Sequence, residues 1–153
     1  MRRVIAAAIA ALLFSMPAAA AELEGPARFC GYAPIIDLRP GEKVTTLGGG
    51  IHGGSFRWEG AFGTLDVYGI GWASRPKGRM TTPPAAKKPA MFAQRREDAR
   101  YVIAIWNGET GAAYFSSDAP LNAAQRKAIS RVTLYNEGEK PSGCGLWTTF
   151  SWD

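Results

Sequence analysis

Residues 100–116 read RYVIAIWNGETGAAYFS, and this stretch decides the fold class. Its first part, Arg100 to Trp106, is rich in the β-branched and aromatic residues that favour strands. The turn-forming pair Asn107-Gly108 comes next, and a second β-prone run extends from Ala112 to Ser116. Two such runs around an Asn-Gly turn predict an antiparallel hairpin.

Shorter strands are predicted earlier in the chain from the alternation of residue types. Residues 55–59 place two aromatic side chains opposite two charged ones, which is the period of a half-buried strand. Residues 64–72 alternate as well, and two glycines in their second half predict a bulge or a close backbone approach. Residues 35–38, 43–47 and 146–152 are further predicted strands. Each of the two strands at 55–59 and 64–72 is expected to have a second face, which carries Arg57, Glu59, Asp66, Tyr68 and Ile70.

One helix is predicted in the C-terminal half. Asn122 and Gln125 have the spacing of a capping box, and helix-favouring residues continue to Arg131. Together, the predicted strands and helix indicate an α+β domain: a mainly antiparallel sheet, or a partly open barrel, of five to seven strands with one helix packed on it. We recognise no known family in the sequence.

The first 21 residues have the pattern of a cleavable secretory signal. Two arginines precede an apolar run over residues 4–16, and alanines 18–21 supply a small-residue cleavage site. The run is shorter than the roughly 20 residues that a membrane-spanning helix needs. We expect cleavage after Ala21 and a periplasmic or secreted protein, with residues 22–153 as one mature domain that has no transmembrane segment.

Two cysteines, Cys30 and Cys144, lie near opposite ends of the mature chain. Disulfides persist in the oxidising compartments that export reaches, so we expect these two residues to form one. The alternatives are a metal pair or a catalytic thiol. The chain has a single histidine and no Cys-x-x-Cys, so a closed zinc site lacks ligands, and neither a metal nor a cofactor is expected.

Residues 75–100 carry eight lysines and arginines against two acids, and four prolines fall between 76 and 89. Proline and charge oppose regular structure, so residues 75–90 are predicted to be a long basic loop. It is either a contact surface for lipid head groups, acidic glycans or an acidic protein, or a solubilising insertion without a partner. Nucleic acid is not expected for an exported protein. The binding candidates are Arg75, Lys77, Arg79, Lys87 and Lys88.

Residues 48–54 read GGGIHGG and surround the only histidine with five glycines. Glycines let a ligand approach the backbone closely, although the stretch matches neither a P-loop nor a dinucleotide fingerprint. The simpler interpretation is a flexible connection between strands. For a hydrolase, the weak catalytic candidates are His52, Ser55, Glu59 and Asp66, because hydrolysis needs a nucleophile with a base or a pair of carboxylates.

Five tryptophans are many for a mature domain of this size. Most are expected in the core, but a strand at the C-terminus would place Trp147 on one face and Trp152 on the other. Exposed aromatic side chains stack on sugars or anchor protein interfaces. Trp147 and Trp152 are therefore further binding candidates.

The leading hypothesis is a soluble exported binding module of the cell envelope, which recognises an anionic component or another exported protein. The alternatives are a small envelope hydrolase that uses the His52 loop and a structural envelope protein without a specific ligand. The sequence does not indicate an oligomeric state.

Overall fold

A computed structural model describes residues 20–148 of the chain. It contains thirteen strands and one helix in that range. In chain order they are β1 (Glu22–Glu24), β2 (Ala27–Cys30), β3 (Pro34–Leu38), β4 (Lys43–Gly49), β5 (Gly53–Gly60), β6 (Gly63–Ile70), β7 (Met80–Thr82), β8 (Ala90–Phe92), β9 (Arg95–Glu97), β10 (Arg100–Trp106), β11 (Ala112–Ser117), α1 (Ala123–Ile129), β12 (Thr133–Leu134) and β13 (Cys144–Trp147).

The strands form two open sheets. The larger has nine strands in the order β1-β4-β5-β6-β11-β10-β8-β7, with β9 also paired to β10. The smaller has four strands in the order β12-β3-β2-β13, and β2–β13 is a parallel pair in an otherwise antiparallel fold. The predicted antiparallel fold with one helix is confirmed, whereas the expected number of five to seven strands is wrong because many strands are only two to four residues long.

The predicted hairpin and helix are both present. β10 pairs with β11 from Tyr101 opposite Ser117 to Trp106 opposite Ala112. At the helix, the side chain of Asn122 accepts a 2.8 Å hydrogen bond from the backbone N–H of Gln125, and the Gln125 side chain accepts one in return. The helix ends at Ile129, two residues before the predicted end.

The main hydrophobic core takes side chains from both sheets and from the helix. The larger sheet contributes the fully buried Trp58 and Phe115, the smaller sheet contributes Phe29, and the helix contributes Ile129. The two sheets come close at Gly69, where an added Cβ would lie 2.6 Å from Cδ of Pro34. This bears out the close approach that the strand glycines predicted.

The disulfide between Cys30 and Cys144 is formed, with the two Cα atoms 5.7 Å apart. It joins residues 114 positions apart and ties β2 to β13 in the smaller sheet. The disulfide thereby links a strand near the start of the described chain to the strand at its end.

Two predicted loops are shorter than expected. The segment at residues 75–90 is interrupted by β7, which pairs with β8 at the edge of the larger sheet. Backbone hydrogen bonds in both directions between Ala85 and Lys88 close a tight turn between those strands. In the glycine-rich stretch, β4 and β5 extend through Gly49 and from Gly53, so only residues 50–52 connect them. Both segments form strands where loops were predicted, because neighbouring strands supply partners for their backbone N–H and C=O groups.

Candidate functional site

The outward face of the larger sheet carries polar side chains in rows that cross several strands. Arg57 lies opposite Asp66, which lies opposite Ser116 on the next strand. In a parallel row, Tyr68 lies opposite Tyr114. Because alternate residues of β5, β6 and β11 bury Phe56, Val67 and Phe115 in the core, these polar side chains must face away from it.

A groove of about 750 Å³ lies over these rows. Its floor is formed by outward residues of β5, β6, β10 and β11. Its walls include residues 74–77, together with Arg95 and Glu97 of β9. Five cationic side chains and two carboxylates line it, so the groove is electropositive: Arg57, Arg75, Lys77, Arg95 and Arg100 against Asp66 and Glu97.

Asp66 holds two of these arginines in place. Nε of Arg57 donates to Oδ1 of Asp66 at 2.9 Å, and a terminal nitrogen of Arg100 donates to Oδ2 at 2.8 Å. The hydrogen bond and charge of Asp66 raise the pKa of Arg57 above its usual value, which keeps the guanidinium charged. Arg100 also contacts the exposed carboxylate of Asp118 at 3.2 Å.

One donor in this network lacks an acceptor. Nε of Arg100 is buried and has no hydrogen-bond partner among residues 20–148. Buried polar groups are satisfied in most structures, so a guanidinium N–H without an acceptor is unusual.

Two tyrosines make up the aromatic part of the floor. The guanidinium of Arg95 lies 5.8 Å from the ring centre of Tyr114. The phenol of Tyr114 is protonated at neutral pH and can donate a hydrogen bond, and burial raises its pKa further. Its neighbour Tyr68 is exposed and offers the more accessible ring.

The basic candidates of residues 75–90 do not form one surface. Arg75 and Lys77 line the groove, whereas Lys87 and Lys88 line a separate cavity of about 420 Å³ beside Glu109 and Asn136. Arg79 is exposed and lines neither cavity.

Of the four catalytic candidates, His52 and Ser55 both line a small cavity of about 400 Å³ at the glycine-rich turn, whereas Asp66 and Glu59 do not line it. Ser55 and Asp66 line the groove, but Asp66 is engaged by two arginines. Outside the groove lining, His52 shares a 2.7 Å contact between its Nδ1 and Oε1 of Glu137. Glu59 lies on β5 with its carboxylate 3.9 Å from Nζ of Lys43. In the described part of the chain, no hydrogen bond joins His52 to any of the other three.

The aromatic candidates have different outcomes. Trp147 is 37% exposed and donates from its indole to the hydroxyl of Tyr135 at 3.1 Å. Trp152 lies outside the described residues. The sequence reasoning missed Trp72, the most exposed large apolar side chain of the described chain, whose ring lies 4.7 Å from that of His52 in an edge-to-face arrangement. It also missed Arg95 and Arg100 as groove residues, although their basic character was visible.

Within residues 20–148 there is no group of three or more histidine, cysteine or acidic side chains that could hold a metal ion. The same range contains no helix long and apolar enough to cross a membrane. No known protein family, curated protein or solved structure matches this chain.

Proposed function

We propose that this chain is an exported binding module that holds an anionic ligand in the groove of the larger sheet. The observation that carries the proposal is the lining itself, in which five cationic side chains surround two tyrosines and outnumber the carboxylates. One of those carboxylates, Asp66, already bonds two of the arginines, which leaves the groove with cationic character.

The arginines are arranged as donors for an anion. The Nε–H of Arg57 donates to Asp66. Its terminal N–H groups have no acceptor among the described residues and are free to bind an anion. Guanidinium groups that a carboxylate holds in place lose less side-chain entropy when they bind, and their planar forks match carboxylate and phosphate oxygens.

The tyrosine pair supplies the apolar component of recognition. Tyr68 and Tyr114 face each other across β6 and β11 at the centre of the floor. A ligand with both a charged group and a ring or hydrocarbon portion would contact the guanidinium groups and the tyrosines together.

Export is supported by two independent features. Residues 1–21 have the composition of a secretory signal, although they lie almost entirely outside the described residues. The Cys30–Cys144 disulfide favours an oxidising compartment.

The test is an equilibrium titration with polygalacturonate as the anionic probe and dextran as the neutral control. We expect wild-type protein to bind polygalacturonate, more weakly as salt rises, and to leave dextran unbound. The double substitution Arg57→Gln/Arg100→Gln should weaken binding by about tenfold or more, because two charge-assisted hydrogen bonds are lost.

The matched control is Lys87→Gln/Lys88→Gln, which removes the same net charge from the other cavity. It should change the affinity by less than about twofold, since exposed charges outside the groove are screened. Equal losses in the two double variants would refute a specific groove site and point to diffuse charge attraction. Circular dichroism of each variant checks that the fold is retained.

A further inference from the structure

Exposed apolar side chains gather at one end of the larger sheet. Residues 20–148 have five exposed large hydrophobic side chains, and four of them lie on or near the glycine-rich hairpin turn: Leu47, Ile51, Tyr68 and Trp72. Leu47 and Tyr68 both line the groove, and Tyr68 also lines a small cavity together with Ile51. The apolar side chains are thus continuous with the groove.

Two hydrogen-bonded connections carry Ile51 and Trp72. Ile51 lies in the turn between β4 and β5 and is 51% exposed, and Trp72 follows β6 and is 65% exposed. The backbone N–H of Gly71 donates to the carbonyl of His52 at 2.8 Å, which joins the two connections. We call Leu47, Ile51 and Trp72 the apolar tip.

The turn that carries Ile51 of the apolar tip packs on Tyr32 through Gly49 and Gly54 but is open on its other side. An added Cβ on either Gly48 or Gly50 would find no atom within 4 Å. A turn that is open on one side suits a soft, deformable partner, because a rigid partner would need a pocket shaped to receive it. Exposed aliphatic side chains also argue against a purely carbohydrate partner, since sugars stack on aromatic rings.

The cationic side chains that share the groove with the apolar tip have the sign that anionic lipids attract. Arg75 and Lys77 are exposed and line the same groove as Leu47 of the apolar tip, and the guanidinium of Arg75 lies 5.2 Å from the ring centre of Phe92. Of the nearby acids, Glu137 contacts His52, Asp66 bonds two arginines, and Glu97 bonds Arg95. Tryptophan is enriched at membrane interfaces, where its ring is in contact with the acyl chains and its N–H with water. Basic side chains next to such a ring are attracted to anionic head groups.

We infer that the apolar tip inserts into the interface of a bilayer that contains anionic lipids, with Arg75 and Lys77 at the head-group phosphates. The inference rests on the proposed function, because Arg75 and Lys77 also line the groove. It makes the anionic partner a membrane surface, and the groove opens next to the head groups.

The test is co-sedimentation with vesicles of phosphatidylcholine and of its equal mixture with phosphatidylglycerol. We expect binding to the anionic vesicles, release by salt, and little binding to the neutral ones. Ile51→Ser/Trp72→Ala should weaken vesicle binding by about tenfold or more, because the buried apolar area is lost. Arg75→Gln/Lys77→Gln should weaken it by a comparable factor, whereas Lys87→Gln/Lys88→Gln should have little effect.

Quenching by brominated phospholipid separates insertion from adsorption. Wild-type tryptophan fluorescence should be quenched on anionic vesicles, and most of that quenching should disappear in Trp72→Phe. Quenching that persists in Trp72→Phe would contradict insertion through this residue.

The two proposals can fail separately. If the protein binds polygalacturonate in an Arg57- and Arg100-dependent way but binds no vesicles, membrane docking is wrong and the groove proposal stands. If Ile51→Ser/Trp72→Ala binds anionic vesicles as tightly as wild type, attraction is by charge alone and the inference is overturned. Loss of vesicle binding in that variant, with unchanged polygalacturonate binding, supports it.

Discussion

Arg57 lies directly opposite Asp66 in the antiparallel pair of β5 and β6, and its Nε donates a 2.9 Å hydrogen bond to that carboxylate. The second oxygen of Asp66 accepts from Arg100, which comes from a strand two positions further across the sheet. One carboxylate therefore connects β5, β6 and β10 on the outward face. The same carboxylate fixes two of the cationic side chains that line the groove.

Asp66→Asn should lower the free energy of unfolding by about 1–2 kcal/mol, because two charge-assisted hydrogen bonds become weaker neutral ones. Urea denaturation measures the change. The control is Asp118→Asn, which removes the other carboxylate that contacts Arg100; its side chain is 90% exposed. That variant should stay within about 0.5 kcal/mol of wild type. If both variants lose the same stability, Asp66 has no special structural role.

Trp58 and Trp72 make a matched pair of tryptophans for testing the assignment of core and surface. Trp58 is fully buried in the main core, so Trp58→Ala should cost about 3–5 kcal/mol. Trp58→Phe, which keeps an aromatic ring in the core, should cost less and keeps the comparison possible if the alanine variant does not fold. Trp72→Ala should change the unfolding free energy by less than about 0.5 kcal/mol in a thermal or urea melt. A large loss at Trp72 would show that its ring is part of the core.

Removal of the disulfide should destabilise the domain strongly. The bond closes a loop of 114 residues, for which chain entropy gives a stabilisation of about 4–5 kcal/mol. The double variant Cys30→Ala/Cys144→Ala should unfold at a correspondingly lower urea concentration than the oxidised wild type. Reduced wild-type protein serves as the comparison without substitution. An unchanged urea midpoint would mean that the packing of the smaller sheet alone determines stability.

The pair Arg28–Asp37 between β2 and β3 gives a prediction about pH. Arg28 donates to both carboxylate oxygens at 2.6 and 3.0 Å, and these hydrogen bonds hold the pKa of Asp37 below its usual value. Because the folded pKa is depressed, the stabilisation is complete above the unfolded pKa of about 3.9 and is lost as the pH falls through the folded pKa.

Asp37→Asn should therefore be less stable than wild type at pH 7, by about 0.5 kcal/mol after allowance for the screening of an exposed pair. The two proteins should converge in urea melts as the pH drops below the folded pKa. A difference that persists in strong acid would indicate a cause other than the charge of Asp37.

The hairpin of β10 and β11, the capped helix and the disulfide could be predicted because each depends on local or compartmental signals. An Asn-Gly turn, a polar cap three residues before a glutamine, and two cysteines in a chain with a predicted export signal can all be recognised without knowledge of the fold. The smaller sheet was not foreseeable in the same way. It brings together Phe29 and Leu146, which are far apart in the chain. Its strands are only two to five residues long, which is too short to show the alternation of apolar and polar residues.

Only part of the groove could be predicted from the sequence. Alternation correctly placed Arg57, Asp66 and Tyr68 opposite the residues that became the core. Their partners Tyr114 and Ser116 come from a strand nearly fifty residues later, and no sequence pattern stated that β6 and β11 would be neighbours. The basic residues 75–90 were predicted to form one surface. They do not, because the turn at Ala85 and Lys88 places Lys87 and Lys88 at another cavity.

The most direct test of the central claim is an NMR titration of ¹⁵N-labelled protein with short oligogalacturonates, which reports the binding position residue by residue. We expect the shift changes to concentrate on the groove, at the amides of Arg57, Tyr68, Arg100 and Tyr114, and to diminish in Arg57→Gln/Arg100→Gln. Shift changes centred on Lys87 and Lys88, or spread evenly over every exposed basic residue, would contradict it.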